Sequence, residues 1–210
     1  MAKIPAERRG AHDESRRRQI AEAALRVWLR DGYHDAPVEA IAREAGLGKG
    51  TIYLYFATKE AVLQAVVERF SLLPAIEELL GKLREIPPEQ AVPLLIATLW
   101  QRLRERGPLF ALLLGGGGVR SDNGRVFIER VVIPGNQLLA EYLDHCVERG
   151  ALRPMDTFVA ARALVGSLVV FMLSQNVLGG ADLRPISEEA IVDTITQLFL
   201  RGALLPQPVG

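Results

Sequence analysis

Cysteine occurs once and histidine three times in 210 residues. So little cysteine excludes a disulfide framework and a multi-cysteine metal knot, and it fits a reducing compartment. His145 and Cys146 are neighbours, so on a helix they point about 100° apart. No second ligand follows three or four residues on, and His12 and His34 stand alone, so neither a metal nor a cofactor is expected. No nucleophile–base cluster or carboxylate pair is evident either, which argues against an enzyme. The opening residues MAKIPAERRGAHDESRRR lack an apolar run, so no secretory leader is expected there. Residues 163–181 lack charge for 19 positions, but Ser167, Ser174, Gln175, Asn176 and three glycines dilute them. A bilayer span wants about 20 predominantly apolar residues. The stretch is therefore read as a buried helix, and a cytoplasmic protein without a membrane segment is expected.

What the chain does contain is ordinary for a globular protein: 49% hydrophobic and 24% charged residues, enough for one domain or two small ones. Basic and acidic residues balance at 25 each, yet residues 1–59 hold a basic excess of three and the remainder an acidic excess of three. A basic head suggests an anionic partner at that end. Strand-like alternation is nearly absent, and helical periodicity runs almost throughout. Asp13 or Ser15 is expected to cap a first helix with Ile20, Ala24, Val27 and Trp28 on one face. Helices are expected near 38–45, 49–56, 58–70 and 88–107, with a short apolar one at 109–114 that the glycines 115–118 stop. A long helix at 123–149 should kink or break at Pro134-Gly135. Asp156 and Ser187 should cap the last two. The total is about nine helices and no sheet, an all-α chain.

Residues 38–57, VEAIAREAGLGKGTIYLYFA, fit two short helices joined at Gly46, the plan of a helix-turn-helix. Ile41, Ala45, Leu47, Ile52 and Phe56 supply the apolar contacts between them. The outward positions of the second helix, Lys49, Thr51, Tyr53, Leu54 and Tyr55, suit a DNA groove, and Lys59 can reach a phosphate. GLGKG also looks like a nucleotide loop, but it lacks both the spacing of the known phosphate loops and a preceding strand.

Residues 20–67, most densely GYHDAPVEAIAREAGLGKGTIYLYFATKEAVLQAV, resemble the DNA-binding domain of the TetR/AcrR family of bacterial transcriptional regulators. The resemblance rests on Ile41-Ala42, Ala45-Gly46, Lys49-Gly50-Thr51, Tyr53, Tyr55-Phe56 and Lys59-Glu60. It implies a three-helix DNA-binding domain in residues 1–60 and a helical ligand-binding and dimerisation domain in 61–210. The DNA contacts it implies are Lys49, Gly50, Thr51, Tyr53, Leu54, Tyr55 and Lys59. Ala36-Pro37 and Gly48 depart from the family's usual hydroxyl residues, which removes two phosphate contacts. Glu39 lies near the groove, where it would repel phosphate or accept from a cytosine amine. Arg8, Arg9 and Arg16 to Arg18 offer backbone contacts or a solvated helix start.

The resemblance further implies a homodimer, a palindromic double-stranded DNA operator and a small-molecule effector, with repression as the mode. The dimer is expected to use Ala160, Ala163, Gly166 and Val170 of one helix and Ile191, Ile195, Leu198 and Phe199 of the last. Trp100, Phe110, Phe127, Tyr142, Phe171 and Gln175 are the candidate effector contacts. Gln101, Gln137, His145 and Asn176 are possible orienting groups. The Leu-, Val- and Phe-rich second half suggests an apolar or amphipathic effector. The glycines 115–118 and the Pro134-Gly135 break are the expected hinge. A helical carrier of apolar molecules with a weakened reading head stays open as the alternative.

Overall fold

The structure, a computed structural model, describes residues 6–69, 71–115 and 122–204. Among these, the chain is helical and has no strand: α1 (Ala6–Asp31), α2 (Val38–Glu44), α3 (Lys49–Tyr55), α4 (Lys59–Arg69), α5 (Leu73–Leu83), α6 (Pro88–Glu105), α7 (Gly107–Gly115), α8 (Asp122–Phe127), α9 (Ile133–Glu148), α10 (Thr157–Met172), α11 (Gly180–Leu183) and α12 (Glu188–Ala203). The all-α expectation holds. Gly116 to Gly118 of the expected hinge and the side chains of Arg8 and Arg9 lie outside the described residues.

Packing divides the chain into residues 1–71 with 108–130, and residues 72–107 with 131–210. In the first unit, Ile20, Ala24, Val27 and Trp28 of α1 meet Ile41 and Ala42 of α2, Ile52 of α3, and Val62, Leu63 and Val66 of α4, all buried. The spacing i, i+4, i+7, i+8 places the α1 residues on a single face. This packing boundary differs from the cut at residue 60 that the family resemblance implies, because α4 completes the α1 core. α1 itself starts at Ala6, so Asp13 and Ser15 lie inside it rather than capping it. The preceding residues, rich in Ala, Glu and Arg, are good helix formers and extend it.

In the second unit, α6 presents Ala91, Val92, Leu95, Ile96, Leu99 and Trp100 inward, and Ile191 and Ile195 of α12 are buried. α6 packs on α12 and α10, and α9 packs on α10 and α5. Asp156 and Ser187 cap α10 and α12 as expected, accepting from the amides of Val159 at 2.9 Å and Ala190 at 3.2 Å. Asp156→Ala should therefore destabilise the protein by about 1 kcal/mol in urea unfolding. A loss below a few tenths would show that the cap is made by water instead.

Three expectations need correction. The break at Pro134-Gly135 is instead a π-helical turn, Ile128–Val132, ending just before Pro134 in the first turn of α9. The wider turn accommodates a residue without an amide donor, so the helix continues. α5 was not expected at all, although Pro74 stands in its first turn and Leu80 and Leu83 are buried. Finally, α10 is not a buried helix. Ala161, Leu164, Leu168 and Met172 face the core, while Val159, Ala163, Ser167 and Val170 are exposed. Residues Thr157–Val177 are long and apolar enough to cross a membrane by length and composition, and only 22% of an 18-residue apolar stretch within them is buried. Lack of charge says nothing of which face a chain's own core will cover.

Candidate nucleic-acid interface

The turn between α2 and α3 is built around Gly46, whose φ of +65° lies in the left-handed region that glycine adopts without strain. Its amide donates to the Arg43 carbonyl at 3.1 Å, and the Leu47 amide donates to the Ala42 carbonyl at 2.8 Å. These two bonds close the α2 C-terminus in a Schellman motif and aim the chain into α3. From α1, the Gln19 amide group donates to the Ala45 carbonyl at 2.7 Å, tying the turn to the core helix. Ile52 and Phe56 anchor α3 from beneath.

The opposite face of α3 is open. Lys49, Gly50 and Tyr53 are exposed, and Leu54 is 83% exposed. A Cβ added to Gly50 would meet nothing within 4 Å, so this stretch of backbone can approach another surface closely. Neither Pro37, which precedes α2, nor Gly48, which precedes α3, makes a side-chain cap bond. The Ala40 and Thr51 amides donate instead to the Pro37 and Gly48 carbonyls, at 3.0 and 2.9 Å.

Lys49 forms an ion pair with Glu39 of α2 and sits 5.9 Å above the Tyr53 ring. The mutual hydrogen bond is the main cause that holds the Glu39 carboxyl below its ordinary range and raises the Lys49 ammonium. Thr51 is half-buried. Tyr55 packs against the first unit's core and donates a long hydrogen bond to Asp13 at 3.4 Å. The Lys59 ammonium donates to the His34 carbonyl at 3.2 Å and lies 4.8 Å over the Tyr33 ring. Partial burial lowers its pKa. Of the seven DNA contacts implied by resemblance, Lys49, Gly50, Tyr53 and Leu54 thus share the outward face. Tyr55 and Lys59 are engaged with α1 and the α1–α2 loop. Arg17 lies 4.9 Å over the Phe56 ring, on the packing side of α3.

The six candidate effector contacts divide between the two units. Phe110 and Phe127 stack edge to face at 5.5 Å within the first unit. In the second unit, Trp100 is buried and its indole N–H donates to Glu188 at 3.3 Å. Tyr142 is buried beside Cys146, and burial chiefly raises its phenol pKa. Phe171 is half-buried, and the Gln175 side-chain carbonyl accepts from the Ile186 amide at 3.1 Å. Gln101, Gln137 and Asn176 are exposed, and His145 is half-buried. A groove of about 190 Å³ lies between α5 and α6, floored by Leu72, Ile76, Leu79 and Leu99 and rimmed by Glu78, Lys82 and Arg102. It was missed because half of it is the unexpected helix α5.

A short reading helix held across a second helix, with an open polar and aromatic face, defines a helix-turn-helix DNA-binding protein. Residues 20–66 match the bacterial regulatory proteins of the tetR family, and residues 104–202 match the AefR-like transcriptional repressor C-terminal domain. The chain belongs to the TetR family and is a transcriptional regulator, not an enzyme. It is 29% identical over 176 residues to the A-factor receptor protein of Streptomyces griseus, across 80% of this chain and 58% of that receptor. A solved structure from Mesorhizobium loti MAFF303099, assigned to the same family, superposes with a TM-score of 0.76 at 24% identity, covering 92% of this chain and 98% of that one. The fatty acid degradation regulator FadR from Bacillus halodurans gives 0.68 at 28% identity, covering 89% and 95%.

Proposed function

We propose that the protein is a cytoplasmic homodimeric repressor whose two α3 helices read a palindromic operator and which a small apolar or amphipathic effector releases. The observation that carries the DNA-reading part is the outward face of α3. Lys49, Tyr53 and Leu54 are exposed, contribute little to the core, and offer a cation, a phenol and an apolar side chain to a groove's base edges. One seven-residue helix reaches only a few base pairs, so specificity needs two copies. The exposed stripe of α10 and Leu198 of α12, 70% exposed, supply an apolar face for a second copy.

Two observations support the effector's character. The α5–α6 groove combines an apolar floor with a polar rim of Glu78, Lys82 and Arg102, which suits an amphipathic molecule. The relatives include a receptor for A-factor and a regulator of fatty acid degradation. Release requires the effector to bind the DNA-free conformation more tightly than the DNA-bound one.

The test is a gel shift against the DNA upstream of the protein's own gene, at two salt concentrations, with random duplex as the reference. Specific binding should exceed random binding, and both should weaken with salt. Tyr53→Ala should lower operator affinity roughly 10- to 100-fold and random-DNA affinity much less. Equal losses on both would assign Tyr53 to the backbone.

A further inference from the structure

The Glu39–Lys49 pair is unusual in its placement. A carboxylate beside a reading helix repels phosphate, and it also neutralises the one cation on the exposed face of α3. Both side chains are about half exposed, so their pairing adds little to folding stability. What the pairing does achieve is geometric. Glu39 in the first turn of α2 and Tyr53 one turn along α3 hold the Lys49 ammonium in place between them. The outcome is a donor next to an acceptor, on the face that α3 presents outward.

We propose that Glu39 and Lys49 act together as a specificity element that reads one guanine–cytosine pair in each operator half-site. This rests on the reading of α3 as the groove helix. Guanine offers two adjacent acceptors, O6 and N7, in the major groove, and cytosine offers the N4 amine beside them. The Lys49 ammonium donates to the guanine acceptors while the Glu39 carboxylate accepts from the cytosine amine. An adenine–thymine pair fits less well, since the adenine amine stands next to N7 and faces the ammonium, and the thymine O4 faces the carboxylate. The pairing also keeps Lys49 from straying to a phosphate, so it contributes little to counterion release.

The experiment is selection from a library of duplexes randomised over the binding site, with the full-length wild type, Glu39→Gln and Lys49→Ala. The wild type should enrich a palindrome containing one G·C pair per half-site that the variants alter. Glu39→Gln should shift that position toward A·T, because glutamine pairs bidentately with adenine, and leave the other positions alone. Lys49→Ala should lose the guanine preference at the same position. On random duplex, Glu39→Gln should also steepen the plot of log K against log salt by about one phosphate's worth, since Lys49 is then freed. A palindrome selected identically by wild type and Glu39→Gln overturns the inference and leaves the DNA-reading function standing. Failure of the wild type to enrich any sequence overturns both. Unchanged thermal unfolding of the two surface variants confirms that the changes are made at the DNA.

Discussion

Val170→Asp is expected to convert the protein from dimer to monomer and, with that, to abolish operator binding. Val170 is 63% exposed and shares a stripe of α10 with Val159, Ala163 and Gly166, at i, i+4, i+7 and i+11. The small residues let a partner helix approach closely, and no Asp, Glu, Lys or Arg stands between residues 163 and 181. In a monomer the new carboxylate points into water, so folding should be untouched. In a two-fold dimer the same charge is buried twice, once from each copy, with nothing to pair it. Burial of an uncompensated charge costs several kcal/mol, a weakening of at least about 100-fold in the dimer constant. Sedimentation equilibrium reads this directly. The expected interface residue Ile195 would not serve as such a probe. It is 6% exposed and turned into the second unit's core with Ile191, so Ile195→Asp should unfold that unit. Leu198 is the outward member of that stripe. A dimer unaffected by Val170→Asp would remove α10 from the interface.

Much of this arrangement was legible in the sequence, for local reasons. The α1 face, the Gly46 turn and the caps at Asp156 and Ser187 each depend on residues a few positions apart, where period and capping chemistry leave a signature. The reading face of α3 was visible in part, since Ile52 and Phe56 mark the inner side and leave Lys49, Tyr53 and Leu54 outer, while Thr51 and Tyr55, also expected outward, are half-buried. What escaped depends on distant partners. The Gln19 bond to the Ala45 carbonyl spans 26 residues and has no local pattern. The Lys59 bond to the His34 carbonyl likewise joins residues that no local pattern links. The edge-to-face contact of Phe110 with Phe127 within the first unit has no local pattern either. α5 was missed because Leu72, which precedes it, supplies no side-chain cap, and its apolar positions fill only three turns. The α5–α6 groove went with it.

Trp28→Ala should produce the largest stability loss of any single truncation in the DNA-binding unit. Trp28 is 1% exposed in the α1 face that meets α2, α3 and α4, and it packs edge to face on Tyr33 at 4.9 Å. Removing the indole leaves a cavity that helices pinned by several other contacts cannot close. Phe/Trp→Ala changes in such cores cost about 3–5 kcal/mol. A small domain has only about 5–15 kcal/mol of stability to lose. The unfolding midpoint should fall by upwards of about 12 °C for a unit of this size, and operator binding should fail at temperatures the wild type tolerates. Trp28→Phe separates volume from chemistry. The indole N–H is buried without a hydrogen-bond partner among the described residues, so phenylalanine removes an unsatisfied donor while keeping most of the ring. Relief of that desolvation offsets part of the smaller cavity, and the net loss should stay within about 1 kcal/mol. Equal, large losses for both variants would mean that the N–H does find a partner, a buried water being the obvious one. A Trp28→Ala protein as stable as the wild type would mean that the α1 face is not the core of this unit.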